Sequence, residues 1–365
     1  MLSISALLYQ TVYLIVVAVL TYLVSNSYNN ASLRNFKTRS FAMQREALVL
    51  TIILVFFIGL RPLNYVFVDM VNYNEEYNML MGYPYSLTLN TTNFLFDNIF
   101  GLFYSNNVPI EFFFLLIAAI YFICLHIACS KLFPRDTLLA LIVYLGAFST
   151  FSYGTNGIKA GAAASIFLLA ISYRRTTWLS VLFAMISLGF HHSMAMPIAA
   201  YAMTFLVKKR QYYLYIWLGC LLAAALHITW FQSLMAGYAD ESGAGYLQVT
   251  VEEKNVSGFR PDFILYSVVP IFLGYRLTKK FQIESQTYDF IWCLYTMTNG
   301  LWLLCTYAEY TNRIAYLSWL MYPFVLIYPF LNIRWHKRQY TYLKYAVWGH
   351  LGFTLFMSFI YYQKT

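Results

Sequence analysis

Apolar runs close to the length of a bilayer crossing recur along the whole chain and limit what it can fold into. We count twelve, each about 14 to 24 residues long. A helix needs about 20 apolar residues to span a bilayer, and open sheets cannot span it because lipid offers their backbone groups no partner. The composition agrees, because 60% of the residues are hydrophobic, 11% are charged and the mean hydropathy is +0.57. The sequence therefore predicts an all-α, multi-pass integral membrane protein. The runs lie at about 4–24, 46–60, 109–129, 137–153, 158–173, 177–190, 194–207, 212–235, 262–277, 287–307, 314–331 and 342–361.

The connecting segments are mostly short, and none resembles a separate soluble domain. We therefore expect residues 1–365 to form a single transmembrane domain. Two connections are longer and more polar, 61–108 and 236–262. The first is rich in Asn, Thr and Tyr, which suit sugar binding through hydrogen bonds and ring stacking. Tyrosine is also common at membrane interfaces, so both interpretations of this segment remain open.

The basic residues divide unevenly between the two sides of the predicted membrane. When connections are assigned alternately, one side receives 18 of the 24 Lys and Arg residues and the other receives 6. The positive-inside rule makes the first side cytoplasmic and places both termini and both long connections outside. The net charge of +9 then reports topology, and we expect no nucleic-acid partner.

Three of the outward basic residues stand at the ends of apolar runs: Arg61, Lys159 and Arg313. Contact between such side chains and lipid headgroups would account for any one of them. Taken together they also suit a diphosphate, because Arg offers a planar two-pronged donor and Lys offers a point charge.

A pair of short apolar runs carries His191 at its tip. If the basic clusters at 174–175 and 208–210 mark one membrane face, each crossing between them has about 15 residues, where about 20 are usual. We therefore expect His191 in a recessed outward cavity, where an imidazole can act as a base or donor. On a continuing helix, His192 would lie about 100° further round and need not share that role. A hydrogen-bonded, non-catalytic helix-end histidine is the alternative.

The remaining chemistry is also on the outward side. Asp69 or Glu309 is placed to orient the histidine or to accept a hydroxyl proton. The sequence has no zinc-ligand spacing and no Gly-rich phosphate loop, and all five cysteines lie inside apolar runs. We therefore expect neither a metal nor a cofactor. Cations for a diphosphate and a base for a hydroxyl fit glycosyl transfer from a lipid-diphosphate sugar, with the cations stabilising the leaving group.

Four elements, in order along the chain, resemble those of the EpsG/Wzy-type polysaccharide polymerases. Residues 190–194 (FHHSM) resemble the family's F-H-x-S-A element, and residues 156–163 (NGIKAGAA) resemble its N-G-x-R-Q-x-x-A element. Arg61, followed by Asp69 and Tyr73, resembles an R…D…Y pattern, and residues 312–316 (NRIAY) resemble a late Arg-aromatic element. One departure is that Lys159 and Ala160 stand where the family usually has Arg-Gln, which keeps the charge but loses the two-pronged donor.

This resemblance implies a GT-C-like membrane glycosyltransferase with about 12 transmembrane helices in the bacterial inner membrane and an active site that faces outward. Such an enzyme joins polyprenyl-diphosphate-linked oligosaccharide donor and acceptor units into exopolysaccharide, capsule or O-antigen. A flippase and a chain-length regulator are candidate protein partners, besides membrane lipid. By carry-over, His191 and Asp69 support the transfer, and Arg61, Lys159 and Arg313 hold the donor diphosphate. The candidate supporting residues are His192, Glu309, Asn156 and Tyr73.

Three other functions remain open from the sequence. A lipid-linked oligosaccharide flippase or other transporter also suits twelve helices, but transporters commonly contain internal repeats, and none relates 1–180 to 181–365. A ligase-type membrane glycosyltransferase would use similar chemistry. A membrane O-acyltransferase that uses His191 would normally receive its acyl donor from the cytoplasm, where only helix-end basic clusters are found.

Overall fold

The computed structural model of the protein describes residues 5–29, 40–232, 258–308 and 310–362, and these residues form helices and connecting turns with no β-strand. The all-α prediction is confirmed for this part of the chain. Each of the twelve predicted apolar runs corresponds to one helix or to a pair of helices. The number of membrane crossings is a separate question, because it depends on helix length.

Among the described residues, three helical segments are long and apolar enough to cross a membrane: Leu8–Ser27, Ile110–Leu132 and Thr311–Asn332. The pair Thr137–Leu145 and Phe148–Thr155 would make a fourth if it crosses as one span, although it is bent by 78°. A membrane-embedded protein follows from these segments. Twelve crossings and a GT-C-like arrangement stay predictions.

The chain forms two compact units, and the expected single transmembrane domain stays a prediction. The first comprises Met1–His192 and Phe330–Thr365, and the second comprises Ser193–Pro329. The helices of the first unit are α1 (Ala6–Ser27), α2 (Ser40–Gly59), α3 (Val68–Leu80), α4 (Phe94–Ser105), α5 (Ile110–Leu132), α6 (Thr137–Leu145), α7 (Phe148–Thr155), α8 (Ile158–Ser172), α9 (Thr177–Phe190) and, after the second unit, α16 (Gln339–Tyr362). Those of the second unit are α10 (Ala195–Leu206), α11 (Arg210–Ala225), α12 (Pro261–Phe281), α13 (Gln286–Leu303), α14 (Thr311–Trp319) and α15 (Tyr322–Asn332), whose last residues belong to the first unit.

Helix α8 is the centre of the first unit and packs against α5, α7 and α9. Its first half is rich in Gly and Ala, which lets neighbouring backbones approach closely. At Gly161 a Cβ atom would lie 2.5 Å from the carbonyl oxygen of Tyr153. Only glycine fits here, because α7 and the start of α8 touch backbone to backbone.

Two serine hydrogen bonds fix the register of α9 against α8. Ser180 Oγ donates to the carbonyl of Ala170 at 2.8 Å, and Ser187 Oγ donates to that of Ala163 at 2.7 Å. The two bonds are seven residues apart in both helices, so the helices run antiparallel. Continuing this register by four residues brings His191 level with position 159.

The connection 61–108 was expected to be a polar loop, but it contains α3 and α4. Helix α4 folds back against the end of α9, where a Cβ atom on Gly189 would lie 2.8 Å from Leu95 Cδ1 and 2.9 Å from Phe94 Cε1. This close approach places the start of α4 beside the C-terminal end of α9. In the second long connection, residues 236–257 lie outside the described part of the chain.

The second unit is organised around α13, which packs against α10, α11, α12 and α14. Its buried Asn299 accepts a hydrogen bond from Trp217 Nε1 at 2.8 Å and donates one to Ser318 Oγ at 3.0 Å. Because a buried amide needs partners on both sides, this residue ties α11 and α14 to α13.

Candidate active site

The N-terminal end of α4 brings several of the predicted site residues together. Asn93 precedes the helix and Asp97 follows in its first turn, so the two lie on one face about 6 Å apart along the axis. Asn93 contacts the histidines at the end of α9, and Asp97 contacts the lysine at the start of α8. Helix α4 thus links two of the sequence elements that were singled out separately.

Lys159 is the second residue of α8 and is held by α4. Its Nζ lies 3.8 Å from Asp97 Oδ1 and 4.9 Å from the centre of the Phe96 ring. The Lys159 and Asp97 side chains are 24% and 32% exposed. The protein therefore covers the pair only in part, and an anion of higher charge that reaches it can compete with the single carboxylate for the ammonium group.

The two histidines share one partner, contrary to the geometry expected of a continuing helix. Helix α9 ends at Phe190 because His191 is extended, with φ −155° and ψ 120°. The Nδ1 atoms of His191 and His192 lie 3.1 and 3.2 Å from Asn93 Oδ1. The ring centres are 5.0 Å apart, edge to face. The separation of 100° applied to a continuing helix, and that condition is not met because α9 ends at Phe190, the residue before the pair.

Two more predicted residues lie on α3, beside this cluster. The Tyr73 ring packs against the Phe96 and Phe100 rings, with centre-to-centre distances of 5.5 and 6.0 Å. Asp69 is half-buried in the first turn of α3, four residues earlier and therefore on the same helix face. Tyr73 thus packs against Phe96, the same ring over which the Lys159 ammonium lies.

Arg61 is deeply buried, with 4% of its surface exposed. Its Nη1 donates to the carbonyl of Ile58 and its Nη2 to that of Thr155, both at 2.8 Å. The guanidinium also lies 5.6 and 5.4 Å from the Phe67 and Phe114 rings. Burial lowers its pKa to about 10, so it stays charged at neutral pH. Arg61 thus satisfies carbonyls at the C-terminal ends of α2 and α7. The carbonyl in α7 is that of Thr155, four residues before Lys159.

Asn156 stands in the break between α7 and α8. Its backbone carbonyl accepts from the Ile158 N–H at 2.8 Å, while its side-chain Oδ1 is buried and has no protein hydrogen-bond partner. The Arg61 Nε atom is in the same condition. Buried polar atoms of this kind normally bond to water or to a ligand, so both atoms mark this end of α8 as a polar position.

Of the last two predicted residues, the structure describes one, Arg313, which belongs to the second unit. Arg313 is exposed in the first turn of α14, and its Cζ lies 5.1 Å from the centre of the Tyr310 ring. Tyr310 has a left-handed backbone, with φ 49°, and immediately precedes this helix. Glu309 lies outside the described residues. The predicted convergence of Arg313 with Lys159 stays a prediction.

The cluster in the first unit can perform acid-base and anion chemistry. The ammonium group of Lys159 contacts Asp97 in the first turn of α4, and the two imidazoles contact Asn93 just before that helix. These contacts lie where α8 begins and α9 ends. Over the described ranges, no group of three or more His, Cys, Asp or Glu side chains is placed to hold a metal ion.

The comparisons with known proteins identify the family. The model of the EpsG family matches residues 47–364, which is nearly the whole chain. The chain belongs to the EpsG family. This is the family of Wzy/EpsG-type polysaccharide polymerases, so the expected resemblance is confirmed, and membership indicates a role in polysaccharide polymerisation. A search of curated proteins and a search of solved structures each found no match.

Sequence reasoning missed two members of the site in this EpsG-family chain, Asn93 and Asp97. Both lie in the segment that was expected to be a loop, and neither belongs to the four family elements. One signal was available: Asn93 is followed four residues later by an acid, at the start of a run that continues Phe94-Leu95-Phe96. Asn commonly begins helices and acids favour the first turn, so this pattern indicates a helix start facing the outward side.

Proposed function

We propose that this protein joins lipid-diphosphate-linked oligosaccharide repeat units on the outer face of the bacterial inner membrane. The observation that carries the proposal is that the start of α4 contacts both Lys159, through Asp97, and His191, through Asn93. The register of α8 against α9 brings these two residues level with each other. A cation and a base held close together match the two demands of glycosyl transfer from a diphosphate.

In the proposed reaction, a hydroxyl oxygen of one repeat unit attacks the anomeric carbon of another. The new C–O bond forms as the bond between that carbon and the diphosphate oxygen breaks, and the electron pair leaves with the lipid diphosphate. An imidazole takes the hydroxyl proton. Lys159 stabilises the negative charge that develops on the leaving group, with Arg313 as the proposed second cation and no metal ion required.

The other predicted residues have supporting roles in this proposal. Arg61 holds the ends of α2 and α7 and thereby the start of α8, and its charge adds to the positive potential there. Asp69 is a second candidate base, on the α3 face that carries Tyr73. The polar side chains of the α3–α4 segment are the proposed sugar-binding surface. A flippase and a chain-length regulator remain proposed partners.

The experiment is the length distribution of the glycan in cells that carry His191→Ala. We expect the variant to insert normally but to block polymer, so that single repeat units accumulate on the lipid carrier or appear on the final acceptor. Polymer of normal length would remove His191 from the mechanism. Loss of every outward repeat unit, single ones included, would instead favour the flippase function.

A further inference from the structure

The contacts around Asn93 fix which atom of its amide faces the histidines. Helix α9 ends at Phe190, and the backbone N–H of His192 points to Asn93 Oδ1 at 3.0 Å. A backbone N–H can only donate, so the atom it meets must be the amide oxygen. The amide nitrogen then donates to Thr92 Oγ1 at 3.2 Å, which agrees with this orientation.

The orientation of Asn93 in turn indicates where the His191 imidazole carries its proton. The Nδ1 atoms of His191 and His192 lie 3.1 and 3.2 Å from the same oxygen. An unprotonated Nδ1 would direct its lone pair at the oxygen lone pairs, whereas an Nδ1–H makes a hydrogen bond. The amide oxygen has two lone pairs, and the His192 N–H takes one of them, so we assign the other to the nearer imidazole. The neutral His191 ring is then the Nδ1–H tautomer, and its basic nitrogen is Nε2.

We propose that Asn93 is a positioning residue that holds His191 in the Nδ1–H tautomer, so that Nε2 accepts the proton of the attacking hydroxyl. The catalytic part of this inference rests on the proposed function. His191 is chosen over His192 because the α8–α9 register brings it level with Lys159, where the leaving group is held. Asn93 itself exchanges no proton, since its amide does not titrate.

The test uses three variants of the full-length protein. Asn93→Leu removes the acceptor while keeping a side chain of similar size, and Asn93→Asp keeps an oxygen acceptor at the same position. Asn332→Leu is the matched control, because Asn332 is exposed at the C-terminal end of α15, outside the α3–α4 segment. Tautomers are read from ¹⁵N-histidine spectra of the protein in bilayers at about pH 8, well above the ordinary imidazole pKa of about 6.5. The His191 signals among those of the six histidines are assigned by their loss in His191→Gln.

We expect pyrrole-type Nδ1 and pyridine-type Nε2 signals for His191 in the unaltered protein, in Asn93→Asp and in Asn332→Leu. In Asn93→Leu the ring should shift toward the Nε2–H tautomer, and the polymerisation rate should fall by about 10- to 100-fold, the usual effect of losing a partner that orients a functional histidine. Asn93→Asp should recover most of the rate, which a purely steric role of residue 93 would not explain.

Two results would overturn the inference. One is an Nε2–H tautomer at His191 in the unaltered protein, whatever its activity. The other is an unchanged polymerisation rate in Asn93→Leu despite the tautomer shift. Failure of the proposed function gives a different pattern: the unaltered protein shows the expected tautomer but makes no polymer, so the tautomer assignment stands and its catalytic purpose is lost.

Discussion

Removing the charge of Lys159 should weaken binding of the donor by an amount that the structure brackets. Two unit charges 4 Å apart attract by about 1 kcal/mol in water and by about 4 kcal/mol at an effective dielectric constant of 20. With its side chain 24% exposed, Lys159 lies between these limits. Lys159→Gln should therefore raise the KM for the lipid-linked donor by about 5- to 1,000-fold. Lys159→Arg should be tolerated, and Lys159→Glu should abolish activity because it repels the phosphates.

A second test of this prediction substitutes Asp97, the residue that pairs with Lys159. Asp97 competes with the donor for the ammonium group, so Asp97→Asn should leave the KM unchanged or lower it. The assay follows chain growth from polyprenyl-diphosphate-linked repeat units isolated from host cells. Lys131→Gln is the matched control, because Lys131 also lies over an aromatic ring, that of Tyr173 at 4.8 Å, but in the last turn of α5. Equal KM values for the Gln, Glu and unaltered proteins would refute the anion site and leave Lys159 as a headgroup anchor.

Four further predictions concern the packing at Gly161, the hydrogen bonds of Arg61, the membrane topology and the dependence on divalent cations. Gly161→Ala should destabilise the protein by about 1–3 kcal/mol, seen as a lower unfolding temperature, because its Cβ would lie 2.5 Å from the Tyr153 carbonyl oxygen; Gly349→Ala, which has open space around it, should not. Arg61→Met should lower the amount of folded protein in membranes, because two carbonyls lose their donor; normal levels without activity would instead mean a direct role in binding. An impermeant thiol reagent applied to intact cells should label Asn90→Cys but not Lys208→Cys in a background without the five native cysteines, and the reverse would overturn the charge-based topology. Removal of divalent cations with a chelator should leave the polymerisation rate unchanged, and a dependence on added Mg²⁺ would contradict the role given to Lys159 and Arg313.

Much of the helical framework follows from apolar runs, because a run of that length in lipid has to satisfy its own backbone. Part of the site follows as well. Lys159 and His191 are each sixteen residues from Arg175, so a helical hairpin that turns at the basic pair already brings them level. The serine bonds between α8 and α9 set that register in the structure.

The rest depends on contacts that no local pattern records. Helix α4 begins in a polar segment whose residues suit a loop equally well, and only its packing at Gly189 brings Asn93 to the histidines. For Arg61, the residue type shows that an anion or an acceptor is needed. It does not distinguish a phosphate from the carbonyls of Ile58 and Thr155, which the structure supplies.

The most direct test of the central claim is chain growth by the purified protein alone. The protein is placed in lipid vesicles with polyprenyl-diphosphate-linked repeat units, without nucleotide sugars, ATP or other proteins. We expect products that contain two or more repeat units, with one free polyprenyl diphosphate released for each bond formed, and neither product with His191→Ala. Vesicles that move the lipid-linked unit across the bilayer but leave it as a single unit would contradict the proposed polymerase function.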